Sequence, residues 1–354
     1  MRRTLSLVFI LNILSLPFVA AERDYAELMP RAKDSLILDI TKVTEQKLVA
    51  VGIRGHILLS DDLGKSWRQA ESVPTRSALT SVDFVDAQHG WAVGHDSVIL
   101  KTEDGGINWS LQYEDIEREQ PLLDVVFTSV SKGVAIGAYG LYLVTADGGA
   151  NWEEQCQYGL ASPEEMIDMG FVEEGFDVEE LKQYDCLDLN LPHLYSIKIK
   201  NDGTSYIVGE AGLLARSDDA GENWQRLSSP YNGSFYHLLE TEYSLLAMGL
   251  RGNLFRSEDG AQTWQKIETG VLAGLNDALE LAPGKVVIVG MDGVVLTSLD
   301  DGRTLKLDRR SDRMTLTSII PGSESTLDYL VVASESGLAS IAVQANGIKE
   351  LSGK

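Results

Sequence analysis

Basic residues are scarce in this chain. Its 354 residues hold 30 Lys and Arg against 53 Asp and Glu, a formal charge of −23, so the phosphate-neutralising surface that nucleic-acid binding needs is missing. Only 9 residues are proline, and 44% are hydrophobic, which excludes collagen-like and disordered classes. Histidine is sparse too. His56, His89, His95, His193 and His237 lack metal-ligand spacing, and neither a nucleophile elbow nor a phosphate loop is present. After residue 21 no run of 18 apolar residues occurs, so no later segment reads as a membrane-spanning helix.

What is present begins with an address. Arg2 and Arg3 precede an apolar run from Leu5 to Val19, and Val19, Ala20 and Ala21 offer a small-residue cleavage site before Glu22. Residues 1–21 therefore read as a secretory signal peptide, with 22–354 as the exported, periplasmic chain. The competing reading is an uncleaved anchor, for which the run is short.

The body of the chain is repetitive. Six octapeptides repeat the template S/T-x-D-x-G-x-[TSN]-W, ending at Trp67, Trp109, Trp152, Trp224, Trp264 and Leu305, with two departures: Ala261 in place of the Gly and Leu305 in place of the Trp. Asp62, Asp104, Asp147, Asp219, Asp259 and Asp300 can accept hydrogen bonds from turn N–H groups, and the glycine supplies positive φ. These are Asp boxes, also called BNR repeats. Each follows a V-G-x-x-G element, starting at Val51, Val93, Ile136, Val208, Met248 and Val289, with a weaker seventh at Ala333. The period is close to 40 residues, with one interval of 72. Short strands and tight turns at that period predict an all-β, seven-bladed β-propeller. The seventh blade is expected to close the ring with Gly347 to Leu351, helped by the stretch around Tyr25 to Leu28.

Up-and-down blades sort their turns. Asp boxes should lie on one face, and V-G-x-x-G loops and blade-to-blade links on the other, which is the candidate working surface. The long interval places an insertion, about 155–190, in the link to blade four. Twelve carboxylates between Glu153 and Asp188, among them Glu164, Glu165, Glu173, Glu174, Glu179 and Glu180, face the single base Lys182. Ser162-Pro163-Glu164-Glu165 and Asp177-Val178-Glu179-Glu180 read as two short helix starts. Cys156 and Cys186 bracket the lobe, and export makes one disulfide the simplest reading, with free buried thiols as the competitor. The acidic run reads equally as a partner surface or as a solvated lobe. Its loops lack the alternating ligand pattern of a calcium site, so no metal and no cofactor are expected.

Arginines concentrate elsewhere on the same face: Arg54 and Arg251 in V-G-x-R-G loops, Arg76 between blades one and two, and Arg309, Arg310 and Arg313 between six and seven. With Glu114, Asp115, Glu117 and Glu119 beside the insertion, the face is expected to be basic across blades five to one and acidic opposite. These six arginines are the candidate partner-binding residues. Asp-box propellers also include sialidases and other glycoside hydrolases, whose chemistry needs paired carboxyls or a Tyr/Glu pair with three arginines. No such set is found, and no residue is nominated as catalytic.

The repeat V-G-x-x-G-x-[IL]-x-x-[ST]-x-D-G-G-x-x-W at Ile136 to Trp152, with small departures at Val51 to Trp67 and Val208 to Trp224, resembles the photosystem II stability/assembly factor propellers of plants and cyanobacteria. The resemblance extends from about Leu36 to Leu351. It implies a non-enzymatic lumenal or periplasmic propeller whose arginine-bearing face holds a membrane-protein assembly intermediate, with Arg54 and Arg251 matching that surface. The acidic insertion and the V-G-x-x-G loops without arginine are departures. They point toward another envelope client, such as a transporter. A carbohydrate-active propeller, hydrolase or glycan-binding, is the alternative.

Overall fold

Inner strands whose first residue is buried and apolar and whose third is small or polar recur seven times: Ile37–Lys42, Leu79–Phe84, Leu122–Phe127, Leu194–Ile199, Phe235–Glu240, Leu275–Ala282 and Leu316–Pro321. In the computed structural model, which describes residues 24–322, 329–344 and 347–351, each begins a four-stranded antiparallel blade. The strand order in every blade is consecutive, giving the expected seven-bladed propeller. The leader reading, residues 1–21, lies outside the described residues.

Second strands such as Leu48–Gly52, Gly90–Gly94 and Gly133–Gly137 are buried along their whole length, because neighbouring blades cover both of their faces. Each inter-blade core mixes residues from two blades. Val49, Leu59 and Trp109, for example, join Val82 and Leu100 between blades one and two.

Blade seven corrects one expectation. Gly347–Leu351 is its outer strand, paired with Ala339–Gln344, and among the described residues the N-terminal side reaches this blade at the Lys33 carbonyl, which accepts from Leu338 N–H at 2.9 Å, rather than through Tyr25 to Leu28. Residues Tyr25 to Met29 instead run along blade one. Ala26 N–H donates to the Val73 carbonyl at 2.9 Å, Gln69 Nε2 donates to the Glu27 carbonyl at 2.8 Å, and Met29 N–H donates to Gln69 Oε1 at 3.0 Å. The Ala26 side chain packs with Val73 and its core neighbours, a niche the closing blade does not offer.

The ring closes through the inner strands themselves. Asp39 accepts from Ile40 N–H at 2.8 Å, from Val82 N–H of blade two at 2.9 Å and from Ser318 Oγ of blade seven at 3.0 Å. Asp124 likewise accepts from Val125 N–H, Ser81 Oγ and Ile197 N–H, each at 2.9 Å. Asp277 takes Ala278 N–H and Ile319 N–H and also lies 3.0 Å from Ser318 Oγ, whose one proton serves one of the two carboxylates at a time, and Asp83 takes Phe84 N–H and Phe127 N–H. Thr317 Oγ1 adds a bond to the Ile37 carbonyl at 2.7 Å. These carboxylates line the central channel, and burial pushes all four above the usual carboxylate range.

The Asp boxes do what their sequence requires. Asp62 accepts from Ser60 Oγ and from Ser66 N–H, both at 2.8 Å, while Gly64 N–H donates to Ser60 Oγ at 2.7 Å. Asp104, Asp147, Asp219, Asp259 and Asp300 repeat the pattern. Trp67 and Trp109 donate from Nε1 to the box carbonyls of Gly64 and Gly106. Ala261 occupies a glycine position at φ 71°. Hydrogen bonds to the ionised form hold Asp147 and Asp259 down to about 2. A carboxylate depressed on folding contributes stability that is complete above its unfolded value near 3.9 and is lost as pH falls toward the folded value. The melting-temperature gap between wild type and an Asp147→Ala/Asp259→Ala variant is therefore expected to be constant above about pH 5 and to shrink between about pH 4 and 2, measured by circular dichroism.

Blade six departs from the box template at Asp301, at φ 61° where blades two, three and five carry glycine. Its carboxylate meets Arg256 of blade five, both side chains being 2% exposed, and Ser244 Oγ donates to it at 2.8 Å. Removing one partner strands a buried charge, at a cost of about 3–5 kcal/mol. Arg256→Met should lower the unfolding free energy by that order in denaturant titrations. Arg256→Met/Asp301→Gly should recover most of it, since glycine suits the backbone there.

Candidate functional link face

The loop between second and third strands is built alike in six blades. Its first glycine leaves no room for a side chain: a Cβ on Gly52 would sit 2.3 Å from the Leu36 carbonyl oxygen. Its tip residue is left-handed in each case: Arg54, Asp96, Tyr139, Ala211, Arg251 and Asp292 have φ between 49° and 60°. A non-glycine residue there costs roughly 1–2 kcal/mol, and the tip is the position where the repeats vary most in chemistry. All six tips share a face with the blade-to-blade links, opposite the Asp boxes, because the strand order within every blade is the same.

The six arginines separate on this face. Arg54 and Arg251 are exposed at loop tips, and among the described residues Arg54 Nη1 reaches the Met29 thioether alone, at 3.8 Å. Arg76 is engaged by the N-terminal stretch, with Nη2 3.1 Å from Glu27 Oε1 and Nε donating to the Tyr25 carbonyl at 3.0 Å. Arg313 grips Asp292 through Nε and Nη2, each at 2.6 Å, and Arg309 pairs with the same carboxylate. Arg310 is 7% exposed and paired with Asp312 at 2.6 Å. The blade six to seven cluster is thus largely neutralised by its own acids. Arg54 and Arg76 meet at one cavity of about 280 Å³, with Glu27, Met29 and His56.

The insertion folds as a lobe on the same face. Ser162 caps a helix at Pro163–Asp168, accepting from Glu165 N–H, and Asp177 with Glu180 forms a capping box for the 3-10 turn Val178–Gln183. Met166, Leu181 and Leu189 make a small core with Phe171 and Tyr184, and a disulfide joins Cys156 to Cys186 across a Cα separation of 5.5 Å. Closing such a loop removes on the order of 3–4 kcal/mol of unfolded-chain entropy. Glu164, Glu165, Glu173, Glu174, Glu179 and Glu180 are exposed. Arg226 ties the lobe to blade four, Nη1 donating to the Leu160 carbonyl at 2.9 Å.

Sequence reasoning missed the apolar side of this surface. Ile116, Tyr139, Leu272, Met291 and Met314, together with Met169 of the lobe, are exposed in the links and loops, Leu272 at 87%. A large apolar side chain standing free in a link was the available signal. The central channel, about 620 Å³, is polar. Its carboxylates spend their acceptor sites on the backbone bonds described above, and burial drives His237 well below its ordinary value. Among the described residues no group of three or more His, Cys, Asp or Glu is placed to hold a metal ion.

The comparisons agree with this architecture. Residues 69–121 match the family model described as photosynthesis system II assembly factor YCF48. Over 60 residues the chain is 43% identical to the chloroplastic photosystem II stability/assembly factor HCF136 of Cyanidioschyzon merolae, covering 16% of this chain and 14% of the relative. Over 86 residues it is 33% identical to the photosystem II assembly lipoprotein Ycf48 of Prochlorococcus marinus, covering 24% and 25%. The matched segments thus span a quarter or less of these relatives' own length. In fold it is similar to the structure of YCF48 bound to D1 peptide, with TM-score 0.66 and 18% identity over 91% of this chain and 96% of that one. It is also similar to the GH74 enzyme of Niastella koreensis, with TM-score 0.62 and 13% identity over 89% and 54%. The Asp-box blades, the ring of seven and the matched segment together make the chain similar to the photosystem II stability/assembly factor propellers, in fold along most of its length and in sequence over that segment.

Proposed function

We propose that this protein is a non-catalytic, exported docking propeller. Its link face binds the periplasmic or lumenal part of a membrane protein complex and assists its assembly, stability or activity. The observation that carries the reading is the pair of exposed arginines at the left-handed tips of blades one and five, standing among exposed apolar side chains on the one face where the repeats diverge. Cationic groups beside apolar anchors make an interface suited to an acidic, partly apolar partner segment. The relatives' names point the same way, toward assembly of a membrane complex, and D1 is what one solved neighbour binds.

The leader at residues 1–21 supports export, and the disulfide suits an oxidising compartment. The acidic lobe departs from the photosystem pattern, which favours a different envelope client, a transporter among the candidates. The lobe gives the link face a second, negatively charged element that basic parts of a client can meet.

Charge reversal at Arg54 and Arg251 together is expected to abolish co-purification with the membrane partner while leaving the melting temperature unchanged. Leu299→Glu, at an exposed position on the Asp-box face, should leave capture intact. Full capture by the double arginine variant would contradict the reading.

A further inference from the structure

The cavity between blade one and the N-terminal stretch contains an acceptor with nothing to accept. His56 is 1% exposed and lines the cavity, and its Nε2 is buried without a hydrogen-bond partner among the described residues. The tautomer follows from its neighbour. Ser35 Oγ donates its single proton to the Ala32 carbonyl at 2.5 Å, so toward His56 Nδ1, 3.0 Å away, it can only accept. Nδ1 therefore carries the hydrogen and Nε2 presents a lone pair. Burial, with the Arg54 charge adding to it, holds the imidazole below its ordinary value and keeps it neutral.

Beside this acceptor stands a cation without a carboxylate. Arg54 is fixed at a left-handed loop tip, and its one polar contact among the described residues is the Met29 thioether, a weak acceptor readily exchanged for an anion. Arg76 is already satisfied by Glu27 and the Tyr25 carbonyl. The wall opposite blade one is the N-terminal stretch, held in register by its bonds to Val73 and Gln69. Met29, the thioether partner of Arg54, lines the same cavity.

We propose that this cavity is a binding site for a carboxylate with an amide N–H beside it: the carboxylate pairs with Arg54 and the N–H donates to His56 Nε2. A peptide supplies that combination at its free C-terminal residue or at an acidic residue within the chain. The inference rests on the docking reading above and assigns ligand chemistry to one part of that face. It also gives the N-terminal stretch a role, as the wall without which the site has one side.

The test is calorimetric titration of the full exported chain with four short acetylated peptides. One ends in a free carboxylate, and one is its C-terminal amide. One is the free acid methylated on the last amide nitrogen, and one is an amide with an internal glutamate. The free acid or the internal glutamate peptide is expected to bind, and whichever binds identifies the source of the carboxylate. Arg54→Gln should weaken binding about tenfold or more, the scale of one charge-assisted hydrogen bond. His56→Asn should weaken it as well, and N-methylation of the ligand probes the same bond with the wild-type protein should the buried histidine variant fail to fold. Equal binding of the neutral amide, indifference to Arg54→Gln, or no loss on N-methylation would overturn the site. Arg251→Glu separates this inference from the docking reading, because it should impair membrane-partner capture and leave peptide affinity within about twofold. Peptide binding without capture defeats the docking reading alone, and capture without peptide binding defeats the site alone.

Discussion

A belt of carboxylates around the central channel is the constraint on which the architecture depends. Sheets packed face to face through apolar side chains can slide and splay, and nothing in that packing fixes how many of them complete a circle. Here Asp39, Asp83, Asp124 and Asp277 each bond a backbone N–H of their own strand and one of the next blade. Ser318, 3.0 Å from both Asp39 and Asp277, and the Thr317 bond to the Ile37 carbonyl carry the belt across the seam between the last blade and the first. Hydrogen bonds are directional where apolar packing is not, so the belt sets the offset and angle between the inner strands it joins. It also removes the need for a strand borrowed from the other terminus, and that frees the N-terminal stretch to lie on blade one.

A ring fixed in this way leaves the two faces to different tasks. On one, identical box turns are closed by their own aspartates and serines or threonines, with few acceptors to spare. On the other, six loops share a backbone and differ in their tip residue, so charge and apolar surface vary on one common loop frame. The charges are not arranged as a simple basic half against an acidic half. Asp292 absorbs Arg309 and Arg313, and Glu27 absorbs Arg76, so the free cationic groups are narrower and more local than the count of arginines implies.

The sequence disclosed most of the fold because turn chemistry is local. An aspartate, a glycine and a tryptophan within eight residues specify a closed turn whatever surrounds them, and six copies specify a ring. The lobe was legible for the same reason, its caps and its cysteines being short-range signals. The belt was hidden, although Asp39, Asp124 and Asp277 occupy the same third position of their inner strands, because its backbone partners on the next blade lie 42 to 73 residues away and Ser318, across the seam, lies 279 from Asp39. The pairing of Arg309 and Arg313 with Asp292 is likewise non-local, and their clustering in the link between blades six and seven assigned those arginines to a partner. His56 gave no sign at all. Its unmet acceptor arises from the direction of a neighbouring serine proton.

The central claim is that the face bearing the loops and links, and not the face of the boxes, meets the membrane partner. Photo-crosslinking in intact cells tests it most directly, with a crosslinking side chain placed singly at Ile116, Leu272 and Met314 on the loop face and at Val130, Tyr243 and Leu299 on the box face. Crosslinks to a membrane protein from the first set alone are the expected result. Crosslinks confined to the second set, or spread evenly over both, would contradict the account.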